Sequence, residues 1–232
     1  MKSKNFKNWI TRFAFYLLSM VILALGITLN AKTSLGVTPI ISTAYCVSSL
    51  TGYNFGNMTF VLYMLLVCAE IAIHLAGNRK KQIICDGLQV VVSLIFTRFL
   101  NVFDLMIPSL TSAELSKTFV GSLEGRILVL LLAIALTGVG AALSLNMRFV
   151  PNPGDGIVQT IADATGRENG FVKNCVDILC VLVTCTIGMV FAHHIVGIGL
   201  GTLLAMIGVG RVIAVFNRLT RRQTEALFAG SV

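Results

Sequence analysis

Charge is what this sequence has least of. Ten acidic and 18 basic residues among 232 leave only 12% of positions charged, while 56% are hydrophobic and the mean hydropathy is +0.86. A soluble globular domain averages about 25% charged and about 45–50% apolar residues. So few charges cannot cover a water-facing surface, which excludes a soluble fold and makes lipid the solvent. The scarce, evenly spread acids also argue against a metal cage, and neither a metal nor a cofactor is expected. Histidine occurs three times (His74, His193, His194), near the ends of apolar runs, and there is no H-E-x-x-H, G-x-S-x-G or P-loop. No catalytic residue is assigned and no enzyme is expected. The six cysteines (Cys46, Cys68, Cys85, Cys175, Cys180, Cys185) include no C-x-x-C and lie in or beside apolar runs. They read as small buried hydrophobes.

What the sequence does have is length for about six crossings, at roughly 20 apolar residues each. Six apolar stretches run from about Ile10 to Leu29, Phe55 to Leu75, Gln82 to Val102, Ile127 to Leu145, Phe171 to Ala192 and Val196 to Phe216. The first follows basic residues as in a signal peptide, but it is long and lacks an A-x-A site, so it reads as a retained helix. The net charge of +8 invites a nucleic-acid reading that the placement of the bases contradicts. Lys2, Lys4 and Lys7 precede the first stretch with Arg12 near its start, and Arg79 to Lys81 follow the second. Arg148 and Arg167 lie between the fourth and fifth with Lys173 at the start of the fifth, and Arg218, Arg221 and Arg222 follow the sixth. The alternate connections hold only Lys32, Lys117 and Arg126. Basic loops stay on the cytoplasmic side, so both termini are expected in the cytoplasm of a bacterial cell, with the chain in the plasma membrane.

Two connections are more than loops. Residues 30–54 and 146–170 each carry a proline followed by a moderately apolar run that ends at Thr-Gly: Pro39 with Ile40 to Leu50, and Pro153 with Ile157 to Ala164. Runs of about 10–14 residues are too short to span and predict re-entrant or interfacial helices. Proline at the start and glycine past the end are the expected punctuation.

The two halves also match each other. At an offset of 114, Gly26 falls on Gly140, Pro39 on Pro153, Thr51 on Thr165, Gly52 on Gly166, Gly56 on Gly170 and Gly87 on Gly201. With one gap, Arg98 meets Arg211. Glycine and proline mark backbone geometry, so their coincidence predicts one path traced twice. Three crossings per unit is odd, so the second unit is inverted. The expected fold is therefore an all-α membrane protein with six transmembrane helices as two inverted three-helix repeats, each with a short re-entrant or interfacial helix. Its divisions are a cytoplasmic tail (1–9), a first repeat (10–106), an external connection (107–125), a second repeat (126–217) and a cytoplasmic tail (218–232).

The sequence Pro153-Gly154-Asp155-Gly156 opening a short helix is similar to the bacterial YczE-type membrane protein family, distantly related to the YitT-type proteins. So is Gly197-Ile198-Gly199-Leu200-Gly201-Thr202 followed by a helix with Gly210-Arg211-Val212-Ile213. The resemblance covers most of the chain and implies no settled activity. The first half departs from the pattern, with Pro39-Ile40-Ile41 in place of Pro-x-Asp and Ile84-Cys85-Asp86-Gly87-Leu88 in place of Gly-x-Gly-Thr. Any site should lean on the second half.

Intramembrane polar residues are costly, and they usually face a cavity or a partner. Asp155 is read either as a cation or proton ligand or as the cap of its short helix, with Asn152 beside it and Thr38 and Ser42 at the equivalent place in the first half. Asn174 and Asp177 share a helix face and come close to Asp155 on this reading, or serve a structural ion pair. Glu70 and His74, four apart, form a proton-relay pair or sit at headgroup level, with Asp86 pairing to the nearby basic cluster. Arg98 and Arg211 either snorkel or hold an anionic substrate. The leading expectation is a small-molecule permease working by alternating access between the repeats; the other is a non-transporting scaffold or regulator of a partner protein. Its partners are then the bilayer and a small-molecule or ion substrate, with a homo-oligomer compatible and no nucleic acid. A permease requires a polar cavity bounded by both short helices and containing Asp155 or Asp177.

Overall fold

The computed structural model describes residues 2–228, with side chains from Asn8 to Thr220. Met1 and residues 229–232 lie outside it, as do the side chains of Lys2, Lys4, Lys7, Arg221 and Arg222, so the basic ends of the two expected tails are not described. Eight α-helices occur among the described residues: α1 (Lys2–Lys32), α2 (Pro39–Thr51), α3 (Phe55–Ala76), α4 (Lys80–Met106), α5 (Leu123–Met147), α6 (Pro153–Thr165), α7 (Asn169–Ala192) and α8 (Leu200–Phe228). There is no strand among them, and two 3₁₀ turns, Leu115–Lys117 and Phe119–Gly121, occupy the connection between α4 and α5. Six helices, all but α2 and α6, are long and apolar enough to cross a membrane.

The ends of the short helices follow from their sequence. α2 and α6 are both 13 residues long, begin with proline in the first turn and end at a left-handed glycine, Gly52 (φ 73°) and Gly166 (φ 68°). Only glycine takes that conformation without cost. At its start α6 is capped by Asn152, whose side chain accepts from Gly154 N, while Thr38 makes no such bond for α2. Asp155 sits in the first turn of α6 rather than at the cap.

The helices assemble around α1 and α5, each half buried along its apolar window, whereas α8 is only 17% buried. The two central helices cross at two glycines. A Cβ on Gly26 would lie 2.6 Å from Thr137 N, and one on Gly140 would lie 2.6 Å from Leu23 N. Absence of side chains there lets the backbones approach, which drives helix association where lipid removes the hydrophobic effect. Around this pair α4 packs on α1 and α8 on α5, while α2 packs on α7 and α3 on α6. α3 and α4 form a close pair, but α7 and α8 hardly touch. Outward-facing apolar side chains such as Leu105, Phe191, Leu200 and Leu219 are largely exposed, a surface that only lipid can cover.

Two expectations are corrected. The sixth stretch becomes helical at Leu200, not Val196, because the strand-like segment before it is spent on the α1–α2 connection. Val37 N donates to Gly197 O (2.9 Å) and Gly201 N to Leu35 O (2.8 Å), with Gly197 at φ 77°. Of the cysteines, all free, only Cys46 is buried; Cys68, Cys85 and Cys175 are exposed, so they are outward-facing apolar residues rather than core ones. Gly140→Ala should destabilise the fold by about 1–3 kcal/mol through overpacking. Gly87→Ala, where a Cβ meets nothing within 4 Å, should be neutral or stabilising by up to about 1 kcal/mol from helix propensity. Denaturant or thermal unfolding in detergent checks the pair.

Candidate functional site

Because α2 and α6 both start inside the bundle, their first turns meet. A Cβ on Gly154 would sit 3.4 Å from Ile40 Cγ2, so the two N-termini abut across the line between the halves. A cavity of about 90 Å³ lies beside them. Thr38, Pro39, Asn152 and Asp155 line it from the short helices, Tyr63 from α3, and Lys173 and Asp177 from α7. Its apolar walls come from α1, α5 and α8, among them Leu23, Ala141, Met206 and Val209, so it reaches into the gap between α7 and α8. Drug-sized ligand pockets run to about 300–1,000 Å³, so the space as it stands suits a few waters or a compact solute.

Its electrostatics are nearly balanced. Lys173 Nζ donates to Asp177 Oδ2 at 3.1 Å and to Oδ1 at 3.4 Å, and the Asp177 side chain is 1% exposed. The Asp155 carboxylate has no hydrogen-bond partner among the described residues and interacts electrostatically with this pair. Burial pushes its carboxyl above the ordinary aspartate range, with Lys173 opposing the rise and Asp177 adding to it. Two carboxylates and one ammonium leave one negative charge, which the positive ends of α2 and α6 partly offset. The arrangement can hold a small polar group without a large net charge of its own.

A second polar cluster lies behind α6, between it and α3 and α4. Gln89 Nε2 donates to Glu70 Oε2 (2.8 Å), His74 Nδ1 lies 2.7 Å from Asp86 Oδ2, and Thr160 Oγ1 is 3.4 Å from His74 Nε2. Glu70, His74, Asp86 and Gln89 are all buried. Asp86 therefore pairs with His74, correcting its expected partnership with Arg79 to Lys81. A helical turn apart on α3, Glu70 and His74 each bind a residue of α4 rather than each other.

The other predicted residues fall elsewhere. Ser42 is buried and holds α2 to α7 by a 2.7 Å bond to Thr184 Oγ1. Asn174 is exposed on α7. Arg98 donates to Asn57 Oδ1 at 3.0 Å on the exposed α3–α4 surface, and Arg211 is exposed with no partner among the described residues. Lys173, Tyr63 and Gln89 were not singled out from sequence. The first was legible, lying four residues before Asp177 on one helix face, and a glutamine set well inside the apolar run of α4 was a signal of the same kind.

Six helices long and apolar enough to cross a membrane define a multi-pass membrane protein. The chain belongs to DUF6198, a family of unknown function whose profile matches residues 10–218. It is also similar to the uncharacterized protein YyaS of Bacillus subtilis (strain 168), with 24% identity over 212 residues covering 91% of this chain and 94% of that one. No solved structure matches the chain significantly.

Removing Lys173 strands the Asp177 carboxylate in the interior. Lys173→Met should cost about 1–3 kcal/mol, and adding Asp177→Asn should recover much of the loss. A double-mutant cycle on unfolding free energies measures the coupling.

Proposed function

We propose that this chain is a small-molecule permease of the bacterial plasma membrane, working by alternating access between two inverted repeats with both termini in the cytoplasm. The observation that carries the reading is the central cavity, where the first turns of both short helices meet beside Asp155, Lys173 and Asp177. Secondary transporters built from inverted repeats bind substrate at such a place, near the midplane and at helix ends.

Contacts reciprocal under the 114-residue offset support the repeat. Gly26 meets Thr137 and Gly140 meets Leu23; the offset exchanges these two contacts. It likewise turns the α2–α7 packing into α6–α3, and α1–α4 into α5–α8. It also turns the approach of Gly156 to Glu70 into the Ser42–Thr184 bond. The exception is α3–α4, whose counterpart α7–α8 is open. A gap on one side of a paired structure is the asymmetry that an alternating-access protein has in any one state. On this reading α2 and α6 are re-entrant from opposite faces. Asp155, Asn152, Thr38 and the Lys173–Asp177 pair contact substrate, and Arg98, Arg211, Asn174 and Ser42 serve the scaffold. The likeness of Pro153–Gly156 and Gly197–Thr202 to YczE-type proteins belongs to the same reading.

Thermal-shift screening of the purified chain across metabolite classes tests it. A stabilising compound should lose its effect in Asp155→Asn, and a chain that no class stabilises favours a scaffold. In a cysteine-free background, an impermeant thiol reagent should reach Ser116→Cys only from outside and Arg167→Cys only from inside. Both sites labelled from one face would end the inverted-repeat reading.

A further inference from the structure

The polar cluster behind α6 contains a mismatch that one proton would resolve. Glu70 and Gln89 are 1% and 2% exposed. Their side chains lie side by side, joined by the single bond from Gln89 Nε2 to Glu70 Oε2. Reversing the amide would set two oxygens against each other, so the bond fixes its orientation. Two oxygens then remain buried without a partner, Glu70 Oε1 and Gln89 Oε1. Such orphans cost about 1–3 kcal/mol each, and more when the group is charged.

The surroundings offer an ionised Glu70 no counter-charge. On α3 the next polar neighbour is His74, already engaged with Asp86 of α4. From α4 come Gln82, Cys85 and Asp86, and from α6 Gln159, Asp163 and Thr160. The Thr160 hydroxyl approaches the Glu70 carboxyl but lies 3.4 Å from His74 Nε2 and forms no well-aligned bond to Glu70 Oε1. Arg79, at the α3–α4 turn, donates to the main-chain carbonyl of Asp163 at 3.0 Å. Among the described residues no lysine or arginine bonds to the Glu70 carboxyl, and an uncompensated charge buried at membrane depth is expensive. A cavity of about 160 Å³ borders the cluster, ample for the water that would deliver a proton, since one water needs about 10–15 Å³.

We propose that Glu70 and Gln89 form a proton-binding site, in which a proton on Glu70 Oε1 is donated to Gln89 Oε1 and closes an acid–amide ring. The proton comes from water in the adjoining cavity, and the carboxyl passes from one negative charge to none. Both orphan oxygens are satisfied in one step. The site stands apart from the central cavity but shares a wall with it. Asp155 lines the cavity, while a Cβ on the next residue, Gly156, would lie 2.8 Å from Gln89 Nε2 and 2.9 Å from both Glu70 oxygens. The first turn of α6 therefore separates proton site from central cavity, and glycine is what lets it rest on the ring. This inference concerns proton binding alone and stands whether or not the central cavity carries a substrate.

Infrared difference spectroscopy on the full chain in lipid nanodiscs tests it. At neutral pH the wild type should show a deuterium-sensitive carbonyl band of a protonated carboxyl, absent in Glu70→Gln and kept in Asp177→Asn. Gln89→Leu should move the band to higher frequency by removing its acceptor. Wild-type thermal stability should fall as pH rises, because the folded state holds a proton that the unfolded chain releases. Glu70→Gln should flatten that dependence while folding normally, since a second amide reproduces the ring. Three results would overturn the proposal: a protonated-carboxyl band unchanged in Glu70→Gln, a Glu70→Gln variant that fails to fold, or stabilisation by sodium or potassium that Glu70→Gln abolishes, which would make the occupant a metal cation.

Discussion

The close crossing of α1 and α5 sets the distances on which every other feature depends. In lipid there is no hydrophobic force between helices, so packing and interhelical polar contacts must hold them. Gly26 and Gly140 bring the two backbones together. The resulting pair buries Met20, Leu23, Ala24 and Ile27 with Ala141 in the main core. With that spine fixed, α4 and α8 flank it, and the short helices fill the spaces left to either side. A wider crossing would separate the first turns of α2 and α6, and the cavity between them would lose its walls.

The short helices are where the fold converts packing into chemistry. A helix that starts inside a bundle leaves its first N–H groups without intrahelical partners. α6 answers with the Asn152 cap and with Asp155 in its first turn, an acid that the helix dipole favours there. α2 has neither. Similar backbone paths therefore end in different electrostatics, one N-terminus filled by its own side chains and the other open to the cavity. The departure at Ile41 from Pro-x-Asp is the residue-level origin of that difference.

Much of this was legible in the sequence because lipid makes demands that composition and punctuation record. The six spans follow from apolar runs, and the short helices from Pro39, Gly52, Pro153 and Gly166. A cavity beside the first turns of both short helices, with Asp155 and Asp177 in a mostly apolar wall, lies where the permease reading requires one. What was not legible depends on partners from distant segments. Asp86 looked like a mate for the basic cluster that precedes it, yet the turn of α4 carries it to His74. Gln89 has no partner legible in the sequence, and its meaning appears only when α3 brings Glu70 to it. Gly199 and Gly201 stand in the sequence as parts of a Gly-x-Gly-x-Gly-Thr motif, while the structure uses them to admit the backbone of Leu35 and Gly36.

The proposed repeat also explains why a proton site should occur on one side only. At the 114-residue offset Glu70 corresponds to Thr184 and Gly156 to Ser42. In the second position two hydroxyls meet directly at 2.7 Å. Thr184 Oγ1 also lies within donating distance of Cys180 O at 2.8 Å and within hydrogen-bond distance of Thr43 Oγ1 at 3.0 Å. Hydroxyls both donate and accept, so that contact is satisfied without any change of charge. In the first position the same space is divided between a glycine and a carboxyl–amide pair, and it balances only when a proton is present. The α2–α7 contact is therefore indifferent to pH, while its counterpart between α6 and α3 responds to it. A structure whose halves follow one path can then favour one arrangement over the other by the occupancy of a single site. Beside it lies the α3–α4 pair that is packed, while in the other half the α7–α8 pair is open.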